Sequence, residues 1–513
     1  MTAIVRNNFR IYNARKFIES LNAVNSVYTN SLYIGVARPQ TWNVDGTPDA
    51  PGNNIKDELT DWADLMFMKR IYSSNICHAI PKRIWAANTL YDVYRHDWNG
   101  YSTAPSNNSL TSAITQEKPT DLSKVKCYCT SPNNIVYLCL GVPKDVTGAP
   151  MPSLINPDNG TTTVPGTTFT TSSLTGIVYC SDGYTWLKIA NSVDLISQFD
   201  TIDYYPIQTV GEVPIGVASA TQQTWQTNGA SYLGGIYNIL VVTGGSGYLG
   251  GVSGSFKISN AATGTVALDA TQHVAVIGDG EGLEYVVQYK SGALDKIIVT
   301  NPGRGYTWAK VIVHDAGGSG ASAVACLTPL SGLTVDPVKT LNGYYLIVQG
   351  ILYDDENIGD SALNHGTDFT IDNDYRKVVL VSNPKKFGAI ASANKLDLTY
   401  GLTNSSIGAA SIPSDTVLTS GTTTVRVVDS GITSYNNPIV RVIQVAPNSN
   451  EVATQNNNVT LGTYTYSGGS FAPDTIHEPD ADIGSGDIIY ADYRRPVSRA
   501  RKQSEEYKII LLY

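Results

Sequence analysis

The residues able to do chemistry are few, and their spacing suits little of it. Cys127, Cys129 and Cys139 fall on neighbouring predicted strands, and Cys77 precedes His78. A zinc site favours Cys-x-x-Cys pairs. Cys-x-Cys at the strand period only points both thiols to one face, where a free thiol packs as a small hydrophobe. Glu478, Asp480, Asp482 and Asp487 gather in HEPDADIGSGD. Carboxylates two apart beside a glycine resemble a calcium loop only faintly. The full EF-hand pattern is missing, so an acidic surface turn is expected. Ser246 and Ser319 sit among glycines but lack the Gly-x-Ser-x-Gly of a nucleophile elbow. The chain has no Gly-x-x-x-x-Gly-Lys-Ser/Thr phosphate loop and no His-Glu-x-x-His helix. Its glycine clusters lack the strand-to-helix setting of a dinucleotide site. They read instead as permission for tight β-turns. The histidines, at 78, 96, 273, 314, 365 and 477, follow no ligand spacing.

One basic patch stands out: Arg494, Arg495, Arg499, Arg501 and Lys502. A phosphate contact would use such a patch. Asp487, Asp492, Glu505 and Glu506 interleave with it, and the whole chain carries a formal charge of −9. Ion pairs within the fold or across a protein interface are therefore expected, and nucleic acid is not.

The elements that must position these residues follow from composition and period. At about 150 residues per domain, 513 residues imply roughly three domains. Charged residues make up only 15%, against about 25% in an ordinary soluble domain. With 31 Tyr and 46 Gly, the chain spells β-strands joined by tight turns. That composition excludes a long coiled coil and a largely disordered chain. No apolar run approaches the roughly 18 residues of a membrane span, and the N-terminus lacks the apolar stretch of a secretory signal. Six Cys form no disulfide framework, so a protein made and used without export is expected.

Ile11, Ala14, Phe17, Ile18 and Leu21 recur at helical spacing and predict a first helix ending near residue 25. Ser31 to Val36 reads as a buried strand stopped by Pro39, and residues 43–54 as a loop. Ile55, Leu59, Trp62 and Met66 predict a second helical stripe. Beyond residue 75 the period becomes two. Hairpins are expected about Ser131-Pro132-Asn133-Asn134 and Ser181-Asp182-Gly183, with a long loop over 141–175. In the middle, Val241 to Tyr248 recurs as Ile298 to Tyr306, each followed by a glycine cluster, at 278–282 and 317–321. This degenerate repeat predicts strand, glycine turn, strand in each copy, sharing one sheet face.

The order of motifs resembles a baseplate wedge protein family of T-even-like contractile-tailed bacteriophages. The residues that carry the likeness begin with Asn13-Ala14 and Tyr33 to Pro39, then Trp42. Trp62, Lys69-Arg70-Ile71 and Pro81, Arg83 and Trp85 follow, then Thr89 to Tyr94, Asn134 to Leu140 and Ser181 to Trp186. Near the C-terminus come Asp374-Tyr375-Arg376, Asn383-Pro384, Gly486 to Tyr490, Arg494, Pro496, Arg499 and Gln503. The likeness covers roughly residues 8–210 and 365–513 and leaves the glycine repeat outside.

The resemblance implies a non-enzymatic virion component of the viral tail baseplate. It would be made in the host cytoplasm, pair as a homodimer and contact other wedge proteins. Combining both readings, the expected fold is mainly β, with β-sandwich-like antiparallel sheets and a few short helices near the N-terminus. The expected parts are an N-terminal wedge domain at 1–229, an inserted glycine-rich module at 230–335 and a C-terminal β-rich part at 336–513 packing back on the first. Interface or structural candidates are Trp42, Trp62, Arg83, Trp85, Trp186, Arg494, Arg495, Arg499 and Arg501. No catalytic residue, cofactor, metal, membrane or small-molecule substrate is expected. The rival reading is a tail-fibre or receptor-binding protein that recognises a host glycan through a Tyr- and Asn-rich surface. A glycan hydrolase would further need two carboxylates about 5–9.5 Å apart in a groove.

Overall fold

A computed structural model describes residues 5–24, 27–28, 30–96, 126–145, 150–211, 220–248, 254–259, 274–313, 317–353, 369, 373–404, 412–429, 439–445, 459–500 and 503–513. Arg501, Val125 and the histidines at 273, 314 and 365 lie outside the described residues. The protein is mainly β, multi-domain and built of antiparallel sheets with few, short helices. It divides into two compact units. One comprises Met1–Arg15, Cys77–Ile347 and Ile510–Tyr513, and the other Lys16–Ile76 and Val348–Ile509.

Helix α1 (Asn7–Ser20) buries Ile11, Ala14 and Ile18 at the predicted spacing. Strand β1 (Leu32–Ala37) is buried at every position, as its unbroken apolar run requires. It stops at Arg38, whose φ of +65° ends the extended backbone before Pro39. Helix α2 (Ile55–Asp64) begins at Asn54, whose side chain accepts the Asp57 N–H at 3.0 Å. The second helical stripe needs correction. Ile55 is 77% and Leu59 43% exposed, and Met66 belongs to strand β2 (Leu65–Ile71). Only Trp62 turns inward, so α2 is held by one large anchor and by its carboxylates, not by an apolar stripe.

In the first unit, β3 (Tyr128–Thr130) and β4 (Ile135–Gly141) close about Asn134, and β5 (Ile177–Tyr179) and β6 (Thr185–Asn191) about Gly183. Both turn residues take positive φ, at +61° and +92°. The sheet order is β3-β4-β6-β5. The stretch 150–175 carries only short 3-10 turns and isolated bridges, in keeping with its Pro, Gly, Thr and Ser content.

The glycine repeat forms β7 (Asn238–Ser246), β8 (Gly254–Ser259), β9 (Val274–Gly278), β10 (Glu281–Lys290), β11 (Ala293–Arg304), β12 (Ala309–Val313) and β13 (Ser319–Cys326). The sheet order is β8-β10-β11-β7-β13, with β9 and β12 paired separately. The two copies do not each close on themselves. The first strand of copy one, β7, pairs with β13 of copy two, and β11 of copy two pairs with β10 of copy one. Ser246 faces Ser319 as Arg304 faces Glu281, and Gly244 faces Ala321 as Pro302 faces Leu283. The copies are thus exchanged about a local pseudo-two-fold axis. Each tyrosine ring lies on a glycine of the other copy. A Cβ on Gly318 would meet the Tyr248 ring at 2.6 Å, and one on Gly280 the Tyr306 ring at 2.5 Å. A core of its own, including Val276, Leu283, Tyr285, Leu294 and Val299, fills the space between the strands.

In the second unit, β14 (Asn373–Ser382), β15 (Lys395–Asp397) and β16 (Asp487–Arg499) complete a five-stranded sheet of order β15-β2-β1-β14-β16. All its pairings are antiparallel. Tyr33, Trp62, Met68, Val379 and Val381 pack on one another. A separate seven-stranded sheet uses residues 400–477 and packs on Leu402, Val425, Val427 and Val442. Each such fully buried aliphatic side chain is worth about 1.5–3 kcal/mol.

The exchanged repeat makes a checkable statement. Gly280→Ala and Gly318→Ala each force a methyl into a tyrosine ring. Each is expected to destabilise the protein by about 1–3 kcal/mol in urea unfolding, with similar costs at the two sites. A large cost at one and none at the other would contradict the pseudo-symmetric packing.

Candidate functional site

The densest constellation of charged side chains lies in the second unit, around Lys377. At an irregularity of β14, Arg376 and Lys377 serve two adjoining ion clusters that share Arg38. Lys377 is 1% exposed, and its Nζ lies 2.7 Å from both Asp61 Oδ1 and Asp64 Oδ2. Tyr493 donates its hydroxyl to Asp61 at 2.6 Å, and its ring lies 4.6 Å from Nζ. Burial, then the Asp61 carboxylate, pushes the Tyr493 phenol well above its ordinary range and keeps it a donor. Asp64 also accepts from Gln40 Nε2 at 3.1 Å and pairs with Arg38 at 3.5 Å. Trp62, 1% exposed, lies in the adjoining core.

Beside it, Arg376 forks onto both Asp45 oxygens at 2.9 Å and donates to the Pro39 carbonyl at 2.6 Å. The Arg376 hydrogen bond, first among several causes, holds the Asp45 carboxyl below its usual range. Asp45 in turn accepts the Trp42 backbone N–H at 2.7 Å. The Trp42 ring is capped by the Arg38 guanidinium at 4.0 Å, and its Nε1–H donates to the Arg494 carbonyl at 2.9 Å. Three cations, Arg38, Arg376 and Lys377, thereby face four carboxylates: Asp45, Asp61, Asp64 and, 3.5 Å from Arg376, Asp374.

The C-terminal arginines differ in setting. Arg494 pairs with Asp492 and lies over the Tyr507 ring at 5.3 Å, about one-third exposed. Arg495 is exposed and donates to the Gly46 carbonyl at 3.2 Å. Arg494, Arg495 and Pro496 bulge out of β16 opposite Arg376. Arg499 is 1% exposed, donates to the Tyr353 carbonyl at 2.9 Å and faces Glu505 at 3.6 Å. Glu506 serves Lys508 and Gln349 instead, and Asp487 pairs with none of these arginines among the described residues. Asp480 and Asp482, from the acidic turn, accept the backbone N–H groups of Asp397 and Phe387, each at 2.9 Å. Their carboxylates brace strand ends.

In the first unit Trp186 is fully buried, stacked on Tyr184 at 5.5 Å and edge-on to Tyr91 at 5.1 Å. Trp85 is half-buried and donates Nε1–H to Ser153 Oγ at 3.2 Å. The Arg83 guanidinium lies 4.9 Å over the Tyr128 ring. All six cysteines are free thiols, and five of them are buried. Burial pushes the Cys127 and Cys180 thiols up to about 12, so they stay protonated and unreactive at neutral pH. Among the described residues no group of three or more His, Cys, Asp or Glu is arranged to hold a metal.

The sequence reading did not single out Lys377, Asp61, Asp64 or Asp45. No local signal links them, since Lys377 and Asp61 stand 316 residues apart. It gives no role to His78, which is 4% exposed with Nδ1 2.8 Å from the Gly343 carbonyl. Burial first, then nearby Arg15, lowers its pKa to about 4 against the opposing pull of the Gly343 hydrogen bond and Asp336.

Two expectations follow. Lys377→Met removes the ammonium shared by two buried carboxylates, and Arg499→Ala removes the guanidinium facing buried Glu505. Each is expected to cost about 3–5 kcal/mol in chemical unfolding, whereas Arg494→Ala, in a part-exposed pair, costs about 0–1 kcal/mol. For His78 the unfolded chain takes a proton near pH 6.5 while the folded one resists until about 4. Its contribution is constant above pH 6.5 and is lost as pH falls toward 4. Between about pH 7.5 and 5 it removes about 2 kcal/mol. Urea titrations of wild type and His78→Gln at both pH values check this, and an unchanged slope in the variant contradicts it.

Compared with known proteins, the chain matches no protein-family model and no curated protein.

Proposed function

We propose that the chain is a non-catalytic structural subunit of a contractile phage tail baseplate, of the wedge type. It pairs with a second copy and holds other wedge proteins in the virion. One observation supports this reading above others. The residues that carry the motif resemblance are those that hold the strands together. Trp42 and Arg376 join loop 38–47 to β14 and β16, Trp62 anchors α2, and Trp186 centres the aromatic core of the first unit. Their chemistry is spent inside the protein. Buried ion webs of this kind are weak sources of net stability but penalise any wrong arrangement strongly. That property suits a scaffold that must keep one shape under load.

Light scattering of the purified chain is expected to give a dimer of about 110 kDa, twice the 55.1 kDa chain. Antibody labelling of intact virions is expected to decorate the tail baseplate. A trimer, or label on fibres alone, overturns this reading in favour of a receptor-binding tail fibre.

A further inference from the structure

Outside the ion web, one cleft holds polar groups that the fold leaves unused. It lies within the first unit, where the ends of β4 and β6 meet β7 and β11. Its walls mix apolar and polar groups around a space of about 90 Å³ that opens to solvent. Besides the Tyr237 phenol, which bonds Thr334, five polar side chains line it: Lys144, Thr185, Asn238, Asp295 and Lys296.

A backbone irregularity brings two of them there. Along β11, Gln288 faces Lys296 and Tyr289 faces Leu294, which leaves Asp295 as an extra residue. Such a bulge re-aims side chains, and here consecutive residues, one acidic and one basic, line the same cleft. The Lys296 ammonium lies against Gly183, 3.4 Å from the position a Cβ would take there.

These groups are unsatisfied. Among the described residues neither Lys296 nor Asp295 makes a side-chain hydrogen bond or ion pair. The nearby Asp182 is already occupied by the backbone N–H groups of Leu154, Ile155 and Tyr184. Asn238, 5% exposed, donates to the Tyr94 and Leu140 carbonyls at 2.7 and 3.3 Å, and its Oδ1 has no partner. Burial lowers the Lys296 pKa, against the pull of Asp295. A part-buried ammonium without a direct ion-pair partner is costly, and a cleft that holds one is a candidate ligand site.

We propose that this cleft binds the carboxylate end of a hydroxy acid, with the Lys296 ammonium on the carboxylate and the Asp295 carboxylate accepting a neighbouring hydroxyl. The charges select this class. Lys144, Lys290 and Lys296 against Asp182 and Asp295 leave one net positive charge, which fits a monoanion, and the two carboxylates would repel a phosphate dianion. Size agrees. A cavity of about 150 Å³ holds benzene, so the enclosed part takes only the carboxylate and its adjoining carbons. The rest of the molecule lies in the open mouth, beside exposed Lys144. Two sources supply this chemistry: a free hydroxy acid, or an acidic sugar residue of a polysaccharide. The site does not depend on the structural role proposed above.

The test is calorimetric titration of the full chain with D-glycerate, D-glucuronate, a galacturonate tetrasaccharide and, as uncharged control, glucose. Saturable binding of at least one carboxylate is expected, with Kd of about 1 mM or tighter, and none of glucose. Lys296→Met should weaken it about tenfold or more, and Asp295→Asn by a smaller factor, with melting temperature unchanged. Tight binding of glycerate assigns a free acid, and binding of the tetrasaccharide alone assigns a polysaccharide. Absence of carboxylate binding, equal binding of glucose, or full binding by Lys296→Met overturns the proposal. Should a variant fail to fold, amine labelling of the wild-type chain read by mass spectrometry replaces it. Lys296 is expected to be protected by the carboxylate, and unprotected labelling overturns the site.

Discussion

The second unit depends on one ammonium held between two carboxylates. Lys377 reaches Asp61 and Asp64 from the middle of a sheet, in a place that water does not enter. A lone charge there would be intolerable. The arrangement therefore fixes several things together. Helix α2 must present both aspartates on the face that meets β14. Strand β14 must keep its register against β1, since a one-residue slip would take both buried cations, Arg376 and Lys377, away from their carboxylates. Tyr493 on β16 must bring its hydroxyl to Asp61. Loop 38–47 is tied to the same strands through Arg376, Asp45 and Trp42. Apolar burial supplies the bulk of the stability, and the ion web selects which packing of those strands is allowed.

The glycine repeat reaches a single arrangement by a different route. It has few charges to place, so close backbone approach does the selecting. A tyrosine ring can lie flat on the opposite strand only where that strand has no Cβ, and Gly280 and Gly318 are those places. Because each tyrosine needs the glycine of the other copy, neither copy packs alone. The module is anchored to the hairpin sheet by hydrogen bonds from Tyr179 to the Val299 carbonyl at 2.7 Å and from Asn238 to the Leu140 carbonyl at 3.3 Å. The cleft with Lys296 lies along this seam, where two sheets meet without filling the space between them.

The contrast between the two polar constellations bears on function. Around Lys377 the ammonium, the Tyr493 hydroxyl and the two aspartates satisfy one another and are closed to solvent, although Arg38 Nε and Trp62 Nε1 beside them lack acceptors. In the cleft the reverse holds: an ammonium, a carboxylate and an amide oxygen face common space without partners of their own. A satisfied cluster stabilises one conformation, whereas an unsatisfied one gains by taking up something from solution. A scaffold subunit can carry both.

Much of the β architecture was legible in the amino-acid sequence. The composition, the apolar run of β1, the turn residues Asn134 and Gly183 and the repeated Gly-x-Gly-Tyr all act through neighbours close in the chain. Their backbone preferences need no distant partner. The candidate site was legible only in part. Trp42, Trp62 and Arg499 were singled out, but the carboxylates that give the web its meaning were not, because Asp61 and Lys377 meet across 316 residues. The helical stripe at Ile55 and Leu59 failed for a related reason: periodicity states which residues share a face, not whether another element covers it. Only the tertiary structure decided that the repeat copies exchange strands, that Asp295 bulges beside Lys296, and which acid neutralises which base. Those outcomes depend on long-range packing and on the cost of leaving a charge or a cavity unfilled, which no local stretch of residues determines.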